Sequence, residues 1–378
     1  MSGRQTHDSY YRNLVRSYVL TAGEYAPPPD GVFGIVKLSA NENDFGTPPA
    51  VRRAIEEQLK RDAGLSRYPD STCAELRRAL SAQFALPADW FLVGNGLDDV
   101  INMLAMTFLN QGDEVVIPAM TFGVYEGAAQ LLGAHPISVA MRDDLSIDVD
   151  GMAAAVTGQT KMLFLCHPNN PTGTVLSGDA FERLLETLAS FARPPLLIMD
   201  QAYIDYAQHG SEALDAASYL RGHRNLVVLR TFSKISALAG LRVGYAIAHP
   251  GLLEFVNRVR PPFTVNSLAQ AAAIVDVGDE EVAAHKERVR RSVEKSRGEL
   301  EALFEELGQP YVRSQANFVF ALHDREYDEL LDISQRLQQA GLLVRTLRHR
   351  QAPSGIRFTI GTEEENRRLI EALRGILC

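Results

Sequence analysis

The sequence predicts an α/β fold built around a mainly parallel sheet, followed by a smaller α+β unit. Three observations predict it. Apolar runs of four or five residues recur between residues 114 and 230, each bounded by turn residues, as strands buried on both faces should be. Amphipathic stretches such as 178–192 lie between them, and alternation of strand and helix implies parallel pairing. After about residue 250 the character shifts to one long charged helical stretch and then to short strands and helices in mixed order.

The elements follow in chain order. Residues 1–20 place Tyr10, Leu14 and Tyr18 on one face of a helix, and APPPDG at 26–31 is a stiff turn between an N-terminal arm and the body. TPPAVRRAIEEQL at 47–59 opens with a cap residue and two prolines, a good helix start. VGNGLDD at 93–99 leads into a helix over 98–109. Strands are expected at 114–118, 161–165, 196–200 and 226–230, with a helix at 178–192. A charged amphipathic helix over 279–307 comes next, then a strand at 317–320, a helix near 326–340, the runs LLVR and RFTI, and a closing helix. There is no internal repeat and no low-complexity stretch. The expected organisation is an arm at 1–46 packing with the small domain, a large domain at 47–255 and a small C-terminal domain at 256–378.

Composition narrows the function. The 378 residues are 46% hydrophobic and 22% charged, ample for a buried core. No apolar run approaches the roughly 18 residues of a membrane span, and the opening MSGRQTHDSYYRNLVRSYVL lacks the apolar block of a secretion signal. Cys73, Cys166 and Cys378 are too widely spaced for a disulfide framework or a metal site. With 38 basic against 47 acidic residues the net charge is -9, the wrong sign for a general nucleic-acid binder. The expectation is a cytoplasmic protein handling a small molecule, with no metal and neither nucleic acid nor membrane as partner.

In an open α/β sheet, ligands bind beyond the carboxyl ends of the strands, so the residues after each expected strand matter most. Lys234 is one of only six lysines, and it alone sits in a small, hydroxyl-rich turn after a buried strand. Partial desolvation beside Arg242 would lower its pKa and suit it to Schiff-base chemistry; in isolation it reads as a surface lysine. Thr231, Ser233 and Arg242 supply two hydroxyls and a fork-shaped cation to one anion. Gly96, Leu97 and Asp98 open a helix whose first N–H groups form an anion site, with Asp98 as its cap; a plain turn would look the same. Asp200 at a buried strand end needs a cation, of which a protonated pyridine nitrogen is one, or else a capping or salt-bridge role.

These residues carry a family resemblance. LRTFSKISALAGLRVGY (229–245), CHPNNPTG (166–173) and DQAY (200–203) resemble the fold-type I, class I/II aminotransferases that use pyridoxal 5′-phosphate, and most closely the histidinol-phosphate aminotransferases. LSANEN (38–43), RYPD (67–70), PAMTFGVY (118–125), PPFTVNSLAQ (261–270), ANFVF (316–320) and RFTIGT (357–362) match in the family's order over nearly the whole chain. The resemblance implies an aspartate aminotransferase-like large domain with a mixed, mainly parallel, seven-stranded sheet flanked by helices. It implies Lys234 as the Schiff-base lysine and proton shuttle, Asp200 on the pyridine nitrogen, and Asn170 and Tyr203 on the ring's phenolic oxygen. Phe122 would stack on the ring. Gly96, Leu97, Asp98, Thr231, Ser233 and Arg242 would hold the phosphate, and Tyr68 would reach it from the other subunit of a homodimer with shared sites. Arg357 would grip the substrate carboxylate, with Asn41, Tyr125 and Arg345 lining the substrate side. Phe122 as plain core and Arg345 as a solvated charge are the competing roles, and Cys166 and His167 are expected to be structural.

Some positions depart from the family pattern. Gln201 and Asp99 stand where glutamates are common, Phe263 replaces a tyrosine, and Arg348, His349 and Arg350 make a basic turn where a proline and a GYG-like turn are usual. The implied activity is ping-pong transfer between an amino donor, glutamate being the expected one, and a keto acceptor, with histidinol phosphate/imidazole acetol phosphate the best substrate pair. The alternatives are an aromatic or broad-specificity aminotransferase, a phosphothreonine-type decarboxylase and, last, a non-catalytic regulator.

Overall fold

The computed structural model describes residues 11, 14–20, 34–61, 65–207, 214–349 and 351–378. Tyr10, the 26–31 turn and Arg350 lie outside them. Of the helix expected over 1–20, the described part shows the short 3-10 turn Ser17–Leu20.

Thirteen strands are described: β1 (Val36–Lys37), β2 (Phe91–Gly94), β3 (Glu114–Pro118), β4 (His135–Val139), β5 (Thr160–Cys166), β6 (Leu196–Asp200), β7 (Leu226–Thr231), β8 (Gly244–Ala248), β9 (Tyr311–Val312), β10 (Phe318–Ala321), β11 (Leu342–Leu343), β12 (Arg345–Leu347) and β13 (Gly355–Thr359). The main sheet has seven strands in the order β2-β8-β7-β6-β5-β3-β4. Neighbours from β4 to β7 are parallel, while β8 runs antiparallel to β7 and to β2. The alternation of side chains along each strand sorts the apolar residues into two cores. Leu163, Leu165, Leu197, Met199 and Val228 pack on one face with Phe181 and Leu184 of the helix Gly178–Ala189. Met162, Phe164, Ile198, Val227 and Leu229 pack on the other with Ile101 and Leu104 of the helix Leu97–Phe108. Fully burying one such leucine contributes roughly 1.5–3 kcal/mol.

A second sheet, β12-β13-β10-β9, is antiparallel throughout, and β1 pairs in parallel with β11. Its core joins Val319, Ile356 and Phe358 to Val289, Val293 and Phe304 of the helix Glu280–Glu306. The boundary expected at 255/256 falls inside the helix Pro250–Val259. Val265, Ala269, Ala272, Ala273 and even Val282 still bury in the large sheet's core, because the helix Ser267–Gly278 packs on Pro49–Lys60. The chain changes core within Glu280–Glu306, between Val282 and Val289.

Two helix caps differ from expectation. Thr47 does not cap Pro49–Lys60; its hydroxyl donates instead to the Ala237 carbonyl at 3.3 Å, and Pro48 takes the cap position. Asp98 does not cap Leu97–Phe108, whose cap is Gly96. Asp99 accepts the Asn95 N–H at 2.8 Å, leaving the Asp98 carboxylate to meet Arg242 Nη2 at 3.4 Å.

Candidate active site

Three parallel strands end side by side, and their ends supply most of the expected site. β5 runs into the CHPNNPTG loop, β6 ends on Asp200, and β7 ends on Thr231. The loop after β5 contains two cis peptide bonds, His167–Pro168 and Asn170–Pro171.

Asp200 is 3% exposed. Its Oδ2 accepts the Tyr125 hydroxyl at 2.7 Å and its Oδ1 accepts the Ala202 N–H at 3.0 Å. Burial pushes its carboxyl up to about 6 against the relief of the Tyr125 hydrogen bond. Tyr203, buried by its position just after β6, accepts the Asn41 Nδ2 donor at 3.0 Å and Asn170 Nδ2 at 3.5 Å. Burial raises its phenol, opposed by Arg357.

Lys234 is part-buried in the turn after β7. Its Nζ donates to the Ala40 carbonyl at 3.2 Å and lies 5.5 Å from the centre of the Tyr203 ring. Burial lowers its pKa to about 8, with the Arg357 charge adding to the effect. Asn43 holds the turn by donating to the Lys234 and Ile235 carbonyls at 3.2 and 2.9 Å. The Ser236 hydroxyl anchors its other end on Asp276 at 2.8 Å.

Arg357 projects from β13 toward the same place. Its Nη1 donates to Asn170 Oδ1 and its Nη2 to the Ser39 carbonyl, both at 2.7 Å, which fixes the plane of the guanidinium over Phe318. Arg345 lies directly opposite Arg357 in the β12–β13 register, so the two cations belong to one face of the small sheet.

Thr231 donates to Ser233 Oγ at 3.0 Å and accepts the Ser233 N–H at 3.1 Å. Nearby, Gly96 has φ +82°, and a Cβ there would sit 2.5 Å from Arg242 Nη2. Glycine is therefore what lets the guanidinium lie against the start of Leu97–Phe108.

The structure thus brings together Asn41, Asn170, Asp200, Tyr203, Lys234 and Arg357, and beside them Gly96, Leu97, Asp98, Thr231, Ser233 and Arg242. Phe122 stands edge-on to Tyr125, with ring centres 5.7 Å apart. Tyr125 corrects its expected place on the substrate side. It has no exposed surface and stacks on Phe164 at 4.6 Å with its hydroxyl committed to Asp200, because an apolar pocket behind the carboxylate takes the ring. Tyr68 is 80% exposed and stacks on Phe263 at 4.4 Å, apart from these groups. Arg348 is exposed and lies over the Tyr327 ring at 5.0 Å.

Cys166 and His167 are structural. The thiol donates to the Pro168 carbonyl at 3.2 Å, and His167 Nδ1 accepts the Leu176 N–H at 3.0 Å, its pKa lowered to about 4 by burial. Sequence reasoning missed the Ser39 and Ala40 carbonyls, which orient Arg357 and Lys234. It also missed Thr359, whose hydroxyl binds Asn41 at N–H and Oδ1, and Asn317, which donates to the Asn41 carbonyl at 3.2 Å. LSANEN, ANFVF and RFTIGT contained these residues, but only Asn41 and Arg357 stood out chemically.

Comparison with known proteins gives a consistent result. The family model for aminotransferase class I and II matches residues 34–373. A histidinol-phosphate aminotransferase from Moorella thermoacetica is 41% identical over 353 residues, covering 92% of this chain and 87% of that protein. The histidinol-phosphate aminotransferase of Sinorhizobium meliloti, solved with pyridoxal 5′-phosphate, superposes with a TM-score of 0.86 at 24% identity, over 96% of this chain and 97% of that one. Aspartate aminotransferase from Thermus thermophilus, solved with maleate, has a TM-score of 0.79 at 21% identity, over 96% of this chain and 99% of that one. The last two likenesses establish the aspartate aminotransferase-like fold.

Proposed function

This chain belongs to the class I and II aminotransferases, and we propose that it exchanges the amino group between histidinol phosphate and imidazole acetol phosphate, with glutamate as the other amino partner. It is a pyridoxal-phosphate-dependent enzyme acting on a small-molecule amino donor and keto acceptor. The observation that carries the reading is the meeting of a part-buried lysine amine after β7, a buried carboxylate at the end of β6 and a doubly anchored arginine from the middle of β13.

The residues present fit the cofactor. Gly96 leaves against Arg242 a cradle that a Cβ would fill, and Asp200 is a buried carboxylate whose hydrogen bonds come from a phenol and an amide rather than a cation. When bound, pyridoxal phosphate supplies an electron sink, a protonated pyridine ring conjugated to the carbon that meets the amine. Asp200 would hold the proton on the ring nitrogen. Asn170 and Tyr203 would face the phenolic oxygen and Phe122 the ring. Thr231, Ser233, Arg242 and the first N–H groups of Leu97–Phe108 would hold the phosphate.

Lys234 Nζ, kept largely free of water, serves as nucleophile and then as the base that moves a proton to and from the substrate Cα. Arg357, its plane already fixed, orients the substrate carboxylate as a two-pronged partner. Arg345 on the same face would favour an acidic or phosphorylated side chain, and Asn41 holds Tyr203 in place.

Tyr68 and Phe263, stacked and exposed, support a homodimer in which Tyr68 reaches the neighbouring protomer's phosphate. Among the described residues no helix is long and apolar enough to cross a membrane, and no group of three or more His, Cys, Asp or Glu could hold a metal. We place the enzyme in the cytoplasm. The two apolar cores support an arm and a large unit up to the 283–288 stretch and a small unit beyond it.

The test follows the visible band of the cofactor-loaded protein as single amino compounds are added without acceptor, with sedimentation of the same sample reporting the dimer. Histidinol phosphate should bleach the band and a keto acid restore it. Bleaching by aromatic amino acids alone would shift the substrate to the aromatic class, and carbon dioxide release from phosphothreonine would replace transamination by decarboxylation.

A further inference from the structure

Asp200 is held at both oxygens, and one of the two holders is the Tyr125 side chain, whose hydroxyl also meets the Cys166 thiol. Tyr125, the second residue of the helix Val124–Gln130, has no exposed surface and stacks on Phe164 with planes only 8° apart. A fully buried phenol must place its hydroxyl, and here it donates to Asp200 Oδ2 at 2.7 Å. The Ala202 N–H takes Oδ1 at 3.0 Å, so the carboxylate plane is set from two directions. Tyr125 also stands edge-on to Phe122, three residues earlier, so one short segment sets both the ring contact and the carboxylate.

We propose that Tyr125 is a positioning residue for the reaction, holding Asp200 in plane and biasing the proton between Asp200 and the cofactor toward the ring nitrogen. The inference rests on the reading that Asp200 faces that nitrogen. A carboxylate and a pyridine nitrogen share one proton in two arrangements, an ion pair or a neutral pair. A donor on Oδ2 stabilises the anion and so favours the ion pair, in which the ring is the electron sink.

Other charged or titratable groups act on Asp200 from the surrounding elements. Cys166 lies opposite it in the β5–β6 register; its thiol donates to the Pro168 carbonyl and also meets the Tyr125 hydroxyl. Lys234 lowers and Asp98 raises its pKa through space, and Tyr203 faces it from the turn after β6. Tyr125 is the side chain hydrogen-bonded to the carboxylate. Burial already pushes Asp200 up to about 6, so losing the phenol would raise it further and draw the shared proton onto oxygen.

The experiment uses the holoenzyme carrying cofactor labelled with nitrogen-15 in the ring, titrated by NMR. In Tyr125→Phe, which keeps the stack on Phe164 and deletes one hydroxyl, the pH at which the ring nitrogen loses its proton should fall. The value of kcat should drop on the order of ten- to a hundredfold, while KM for the amino donor changes by less than about threefold. Incorporating 3-fluorotyrosine at position 125, a stronger donor, should move the nitrogen titration the other way. An unchanged titration in Tyr125→Phe overturns the proposal, whatever happens to kcat; if that variant does not fold, an unchanged titration in the fluorotyrosine protein overturns it. In an Asp200→Asn background Tyr125→Phe should have no further effect on the nitrogen. If Asp200→Asn itself leaves the nitrogen protonated as before, the placement of Asp200 fails, and the proposal with it. That outcome is distinct from a normal Asp200 response with a silent Tyr125.

Discussion

Lys234 shows how one side chain becomes reactive through its surroundings. Its amine is part-buried against the Ala40 carbonyl with the Arg357 cation nearby, and burial brings its pKa to about 8. A lysine pKa depressed below its unfolded value penalises the folded chain once the amine is charged, so stability is lost as pH falls from 10.5 through about 8. The same titration governs nucleophilicity. The cofactor-free chain should therefore capture pyridoxal phosphate at a rate that rises through about pH 8 and levels above it, seen as the growth of the visible band. A rate still climbing through pH 10 would contradict the lowered value. Lys234 and Asp200 were legible because each stands at the end of an apolar run inside a motif; alone, one reads as a surface lysine and the other as a capping or salt-bridged carboxylate. The carbonyls of Ser39 and Ala40 carry no side-chain signal, so their part emerges only when the 38–43 segment is laid against β13 and the Lys234 turn.

The start of the helix Leu97–Phe108 shows the same logic for an element. Gly96 at φ +82° puts the helix N-terminus and Arg242 face to face. Gly96→Ala adds a strained backbone and a Cβ 2.5 Å from the guanidinium, so Arg242 must move. The substitution should cost about 1 kcal/mol of stability and weaken cofactor binding on the order of tenfold or more, read by denaturant unfolding and by cofactor titration. Unchanged affinity would show that Arg242 does not hold the phosphate.

The strands β3, β5, β6 and β7 were legible because two-sided burial demands an unbroken apolar run. Strands β2, β4 and β8 were not. β4 is an edge strand with partly exposed side chains and Pro136 in it, and β8, GYAIA, is interrupted by glycine and alanine and so lacks an unbroken bulky aliphatic run.

Across the whole molecule, the two cores are joined where the chain passes from the helix Ser267–Gly278 into Glu280–Glu306. Lys286 lies 2.5 Å from the buried carboxylate of Asp276, which also takes the Ser236 hydroxyl and so ties this junction to the lysine turn. Lys286→Ala would leave a buried carboxylate without its cation and should destabilise the protein by about 3–5 kcal/mol at neutral pH. Burial raises the Asp276 pKa, and losing Lys286 would raise it further. The penalty is therefore largest above that pKa and shrinks as pH falls and the group takes a proton, a trend that denaturant melts across pH would show. A loss that does not shrink in acid would mean that Lys286 acts through packing alone.

The strand–helix alternation and the chemical types that follow the strands were legible in the sequence, because periodicity, turn residues and chemical type are local properties; the cofactor class was legible through the family resemblance of the motifs. The tertiary structure alone decided the insertion of β8 between β2 and β7, the passage between cores inside Glu280–Glu306, and the withdrawal of Tyr125 behind Asp200. Those outcomes depend on which surfaces meet across long sequence separations. Tyr125 and Asp200 are 75 residues apart, and no pattern within either segment says that one will hold the other.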